Sequence, residues 1–389
     1  MESLILKNAN VITENEILKG QDVKVVDGKI QGVGKFNEDG VDCTDKYISA
    51  GFIDIHTHGG YGSDFMDATN EAFDNVLRFH ADNGSTTVLP TTVTAPVSSI
   101  LEFIERLKNY KKTHNKYAKV YGVHLEGPFL SVRNKGAQKE EFLLNPQNDD
   151  FSFILNNKDI VKTVTISPEL DVDGSMTKSL TENGIIVCGG HDDGIYPEFI
   201  PAIENGLNHL THLYCAMSEV RFKDGKRNIG LREYGLLDDN LSVEIIADNK
   251  HIPPELAKLI FKCKEKNKVV VVSDALRCAG MPADGSLYRL GKGDDESAQL
   301  FKVADGVAVL ADGSRYAGSI TPVHQMVKNL ISAGVSVVDA FRSATSNPAK
   351  IIKATDIGRI EKGYKADLLV LDENFNIEQV YMEGKKYKN

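Results

Sequence analysis

Histidines and carboxylates close several short apolar runs of this 389-residue sequence, and their order is the first sign of chemistry. Asp54-Ile55-His56-Thr57-His58 ends the first such run. Alternation along a strand would set His56 and His58 on one face, about 6 to 7 Å apart along the backbone, so both imidazoles could reach one metal ion. A bare H-x-H pair would also suit a solvated surface, but this one follows an apolar run and precedes Gly59-Gly60. Further along, His124-Leu125-Glu126, Gly189-Gly190-His191, His209-Leu210-Thr211-His212 and Ser273-Asp274 close other runs. Neutral imidazoles with an anionic Glu126 suit a borderline divalent cation that keeps an open position for water. Such a cation lowers the pKa of the water, and a carboxylate such as Asp274 can take its proton and return it to a leaving group. The chemistry predicted is hydrolysis of an amide or ester without a covalent intermediate. Cys215 and Cys278 are the rival nucleophiles, yet neither stands in a recognisable cysteine–histidine signature.

The elements that must position these residues show as eight apolar runs: 52–55, 86–89, 120–125, 161–166, 185–188, 207–210, 241–247 and 269–272. Helix-like stretches with apolar residues at three- and four-residue spacing lie between them, at 70–83, 98–112, 174–182 and 254–266. Eight strands with helical crossovers predict an α/β fold, a (β/α)8 TIM-type barrel over 51–349, with its active site at the carboxyl ends of the strands. Both chain ends are β-rich instead, with turns at Asp27-Gly28 and Glu383-Gly384. They predict a small β-sandwich domain built from 1–50 and 350–389.

Composition narrows the partners. With 45 basic and 55 acidic side chains the net charge is −10, which lacks the basic surplus that phosphate neutralisation of a nucleic acid needs. Apolar residues make up 41% of the chain, enough for a large core. No apolar run approaches a membrane span, and Met1-Glu2-Ser3 opens neither a signal nor a transit peptide. Five cysteines without C-x-x-C spacing suit a reducing compartment, so a cytoplasmic location is expected.

Gly51-Phe52-Ile53-Asp54-Ile55-His56-Thr57-His58-Gly59-Gly60 resembles the first metal motif of the amidohydrolase superfamily. More narrowly, five segments are similar to the N-acetylglucosamine-6-phosphate deacetylase family: His124 to Phe129, Thr211 to Met217, Ile246 to His251, Ser273-Asp274-Ala275 and Ala317-Gly318-Ser319. The ending from Asn347-Pro348-Ala349 to Ala366-Asp367-Leu368 is similar too, so the resemblance covers nearly the whole chain. It implies one or two divalent metal ions per subunit, zinc first, with iron, manganese or cobalt as alternatives. Glu126, His191 and His212 would bind the main ion. His56 and His58 would supply a second site, with Glu126 bridging and Asp274 touching that ion while acting as general base and acid. Gln138, Cys215, Ala216, Arg227 and His251 would face the substrate, His251 reaching a sugar phosphate from the neighbouring subunit of a homodimer.

Three positions depart from the family pattern. Lys135-Gly136-Ala137 is followed by Gln138 where the family usually has histidine, so polarisation of the acyl carbonyl should be weaker or come from elsewhere. Cys215 replaces an asparagine that contributes to phosphate binding, and Arg227-Asn228-Ile229-Gly230 is an altered phosphate loop after an insertion containing Arg221, Lys223 and Lys226. The expected substrate is an N-acetylated amino sugar phosphate, N-acetylglucosamine 6-phosphate foremost. N-Acetylgalactosamine 6-phosphate or an unphosphorylated N-acyl compound is the alternative. Dihydroorotase chemistry is disfavoured because Ile166-Ser167-Pro168-Glu169 offers no lysine for a carbamylated bridge. A non-catalytic assembly protein would be expected to have lost metal ligands, and none is missing here.

Overall fold

The computed structural model describes residues 3–114 and 116–388; residues 1, 2, 115 and 389, and with them the first two positions of the N-terminal reading, lie outside the described residues. All eight expected runs form strands: β1 (Phe52–Thr57), β2 (Ser85–Thr92), β3 (Val123–Glu126), β4 (Val161–Ile166), β5 (Ile186–Gly189), β6 (His209–Leu210), β7 (Ser242–Ile245) and β8 (Val269–Val271). Each pairs in parallel with the next, from β1 round to β8. The strands are almost wholly buried on both faces, which is why they read as continuous apolar runs. The ladder is incomplete between β8 and β1, and there the ring is joined just past β8. Asp274 donates its backbone N–H to the His56 carbonyl at 2.9 Å, and Ser273 donates to Asp54 Oδ1 at 3.1 Å. The result is a nearly closed parallel barrel.

The crossovers behave as their periodicity predicts. The stretch 70–83 becomes the helix Asn70–Asp82, whose Thr69 cap accepts the Ala72 N–H and whose inner face buries Phe73, Val76 and Leu77. The stretch 254–266 gives the shorter helix Pro254–Cys263. Among the described residues no helix is long and apolar enough to cross a membrane.

The chain ends contribute one eight-stranded sheet with a core of its own, centred on Leu6, Val23, Ile48, Leu368 and Val370. Its hairpins turn at Asp27-Gly28 and Glu383-Gly384, all four residues at positive φ, as the tight two-residue turn requires. The two turns touch each other, so the sheet curls back on itself. A separate four-stranded antiparallel sheet was not among the expected elements. Its strands, Leu287–Arg289, Leu300–Ala304, Val307–Leu310 and Tyr316–Gly318, lie between β8 and the helix Val323–Ser332.

Candidate functional site

Six of the sequence-predicted residues meet at the carboxyl end of the barrel. His56 lies within β1 and His58 one residue beyond it; Glu126 ends β3; His191, His212 and Asp274 follow β5, β6 and β8 by two or three residues. Those last three have positive φ (51°, 30° and 45°), a conformation that costs a side-chain-bearing residue about 1–3 kcal/mol and is held only where surrounding structure enforces it. Strain at three of the six is itself a mark of a working site.

The side chains form two overlapping groups, His56 with His58 and Glu126, and Glu126 with His191 and His212, each with its donor atoms within 4.8 Å of one another. Glu126 Oε1 lies 3.1 Å from His191 Nε2 and 3.0 Å from His212 Nε2, and those two nitrogens are 3.1 Å apart. Asp274 Oδ1 stands 3.2 Å from His58 Nε2 and 3.8 Å from His56 Nε2. The outer ring nitrogens show which atoms remain as donors to a cation. His191 Nδ1 faces the Asn134 carbonyl at 3.0 Å and His58 Nδ1 the Thr91 carbonyl at 3.2 Å. A carbonyl only accepts, so each Nδ1 carries the proton and each Nε2 presents a lone pair inward. Lone pairs aimed at a carboxylate and at each other repel unless a cation sits between them. This donor set, nitrogen and oxygen from imidazole and carboxylate, fits a divalent metal ion.

Electrostatics agree. Burial alone would push the Glu126 and Asp274 carboxyls up, but neighbouring imidazoles outweigh it and hold Glu126 well below, and Asp274 below, the usual carboxylate range. For His56 and His58 burial works against the charged form, and the facing carboxylates still raise both rings above the ordinary histidine value. The cluster thus favours positive charge at its centre.

One supporting residue was not singled out in the sequence, and another takes a part different from the one expected. Glu244, inside β7, accepts hydrogen bonds from His56 Nδ1 (3.0 Å), His209 Nε2 (3.1 Å) and the His212 backbone N–H (3.2 Å). A carboxylate behind a ligating histidine fixes its tautomer and strengthens it as a donor. The signal was present as a charged residue in the middle of an apolar run, which is buried only when paired. Gln138 is buried beside Glu126: its Nε2 donates to Glu126 Oε2 at 2.6 Å, and its Oε1 accepts the Thr94 N–H at 2.7 Å. Its amide is thus engaged at both ends, as a brace for the carboxylate.

A cavity of about 350 Å3 opens over the cluster, and Gln138, Cys215, Ala216 and His251 all line it. His251 lines this chain's own cavity, its Nδ1 held by Asp248 Oδ2 at 2.8 Å. Arg227 does not: it is exposed on the hairpin Arg221–Lys223 and Lys226–Asn228, outside the cavity. The cysteine alternative fails physically, since burial pushes the Cys278 thiol up to about 12 and the Cys215 thiol higher still. A larger cavity of about 660 Å3 lies against the terminal sheet, lined mainly by lysines and by none of the cluster.

Comparison with known proteins accords with this geometry. Residues 47–386 match the model of the amidohydrolase family. An N-acetylglucosamine-6-phosphate deacetylase of Bacillus subtilis is 30% identical over 97% of this chain and 95% of its own length. An N-acetylgalactosamine-6-phosphate deacetylase of Escherichia coli O157:H7 is 27% identical over 98% of both chains. The solved structure of an N-acetyl-D-glucosamine-6-phosphate deacetylase mutant from Mycobacterium smegmatis, in complex with N-acetyl-D-glucosamine-6-phosphate, is 26% identical and superposes over 100% of both chains with a TM-score of 0.90. By its barrel, its paired histidine and carboxylate groups and these likenesses, the chain belongs to the amidohydrolase family.

Proposed function

We propose that this protein is a metal-dependent hydrolase that removes the acetyl group of N-acetylglucosamine 6-phosphate, giving glucosamine 6-phosphate and acetate. The observation that carries the reading is the convergence of four imidazoles, Glu126 and Asp274 beneath one cavity. Full-length likeness to deacetylases of phosphorylated amino sugars supports the substrate class. In this reading Glu126, His191 and His212 hold one ion, zinc foremost, and His56, His58 and Glu126 a second. When bound, the cation lowers the pKa of the attacking water and polarises the acyl carbonyl.

The chain's own residues supply the rest. Asp274, kept ionised among the imidazoles, takes one proton from the water as its oxygen joins the acyl carbon. The same carboxyl then delivers that proton to the amine nitrogen as the C–N bond breaks. Gln138 holds Glu126 in place, while Cys215, Ala216 and His251 line the space for the sugar. The barrel domain spans 51–349 and the small domain 1–50 with 350–389. Five unbonded cysteines support a cytoplasmic setting, and Phe222, 72% exposed on the hairpin that carries Arg227, supports a homodimer contact there.

The E. coli relative favours a second reading, N-acetylgalactosamine 6-phosphate as substrate. One panel tests both: acetate release from the two phosphorylated sugars and from free N-acetylglucosamine, before and after removal of metal. Fastest release from N-acetylglucosamine 6-phosphate, abolished by a chelator and restored by zinc or iron, is expected. Undiminished turnover by the stripped enzyme, or no release from any of the three, overturns the proposal.

A further inference from the structure

We propose that Arg315 is the cation that receives the phosphate of the substrate, contributed by the same chain that holds the metal cluster. This rests on the substrate class proposed above.

Among the residues lining the cavity, Arg315 is the only arginine or lysine. Other basic residues nearby are engaged within this chain or lie outside its own cavity. Arg221 is tied to Asp193 at 2.6 Å, Lys223 to Glu198 at 3.1 Å and Lys135 to Glu140 at 2.7 Å, and Arg227 is exposed outside the cavity. Arg232 stacks over the Tyr214 ring and pairs with Glu219 at 3.1 Å. Arg315 forms no ion pair within 4.0 Å among the described residues. Its charge is felt weakly by the Asp312 carboxylate, which Ser314 already anchors.

Its placement suits one end of a bound amino sugar. Arg315 precedes the strand Tyr316–Gly318, and Ser319, just past that strand, donates its backbone N–H to the Asp274 carbonyl at 2.8 Å. At about 3.3 Å per residue, four extended steps separate the Arg315 and Ser319 backbones by about 13 Å. That interval accommodates a hexose with its acetamide at the metal and its phosphate at the arginine. Tyr316 lies against His251, ring centroids 4.9 Å apart, and Arg315, Tyr316 and His251 all line the cavity, with Asp248 holding His251 from behind. Asp248 would repel a phosphate, and a guanidinium with two parallel N–H donors offsets that charge where Cys215, an uncharged thiol, cannot.

Binding and turnover separate this proposal from the one it rests on. Zinc-loaded wild type, Arg315→Ala and Arg315→Lys are titrated calorimetrically with glucosamine 6-phosphate and with glucosamine, and assayed for acetate release from N-acetylglucosamine with and without the 6-phosphate. Arg315 is exposed in a turn, so its replacement does not disturb a core. Loss of charge-assisted hydrogen bonds in Arg315→Ala should weaken glucosamine 6-phosphate binding about 10- to 100-fold, and reduce the kcat/KM preference for the phosphorylated sugar by the same factor. Lysine should restore part of both. Unchanged affinity and preference in Arg315→Ala, or no binding of glucosamine 6-phosphate by wild type, overturns the assignment. Arginine-dependent binding without any acetate release sustains Arg315 and overturns the deacetylase reading instead.

Discussion

Replacement of Glu244 by glutamine changes one atom of the site and removes one buried charge. Glu244 is completely enclosed, and the hydrogen bonds of His209 and His56 hold it well below the carboxylate range against the opposing effect of burial. Its Oε2 serves His56 Nδ1 at 3.0 Å and the His212 N–H at 3.2 Å, and its Oε1 serves His209 Nε2 at 3.1 Å. A glutamine oxygen in the Oε2 position keeps the first two as neutral bonds. Its NH2 then faces His209, which can move its proton to Nδ1 and donate to Ser242 Oγ, 2.8 Å away. No polar atom is stranded, so the fold should survive. What is lost is charge assistance to His56: a bond to a charged group contributes about 1.5–3 kcal/mol and a neutral one about 1 kcal/mol. Through a ligand that difference, with the weaker basicity of His56, amounts to about 1.4–2.7 kcal/mol, or 10- to 100-fold in metal affinity. Competition against a chromophoric chelator, alongside thermal melting of the metal-free proteins, measures it. Glu244→Gln binding zinc as tightly as wild type would refute the reasoning. Glu244→Ala is the poorer probe, because it strands three donors and is expected to cost about 3–5 kcal/mol of stability.

Two further outcomes follow from the same cluster. Asp274→Asn keeps the shape but cannot accept a proton, so kcat should drop about 100- to 10,000-fold with little change in KM or melting temperature; steady-state kinetics showing a loss of only a few-fold would remove Asp274 from the proton path. Metal binding must also displace the protons that the carboxylates draw onto His56 and His58, whose pKa values are raised. Lower pH favours the protonated rings and weaker binding, so zinc affinity should climb from about pH 6 to pH 8 with protons released, measured by titration in buffers of different ionisation enthalpy; a flat profile contradicts it.

What the sequence disclosed and what it hid divide along one physical line. Strands buried on both faces must be apolar throughout, so the eight barrel runs and the residues closing them were legible as soon as the runs were counted. His56, Glu126, His191, His212 and Asp274 each stand at or just past a break in such a run, where hydropathy changes sign. Glu244 and His209 lie within or at the start of their strands, and their purpose appears only when two strands are set side by side: His209 pairs with Ser242 in register, which brings Glu244 level with Thr211 and within reach of the His212 backbone N–H. Gln138 was visible as a departure but not as a brace, because its two partners, Thr94 just past β2 and Glu126 at the end of β3, belong to different strand ends. Arg315 sits in a turn of a sheet whose longest strand has five residues, too short for alternation to announce it. The histidine and carboxylate cluster is therefore encoded locally, at strand ends, while the cavity wall above it is assembled from loops distant in sequence. The departures at Gln138 and Cys215 both fall on that wall, so specificity can shift by exchanging residues there, such as Arg315, while the strand-end histidines and carboxylates keep their positions.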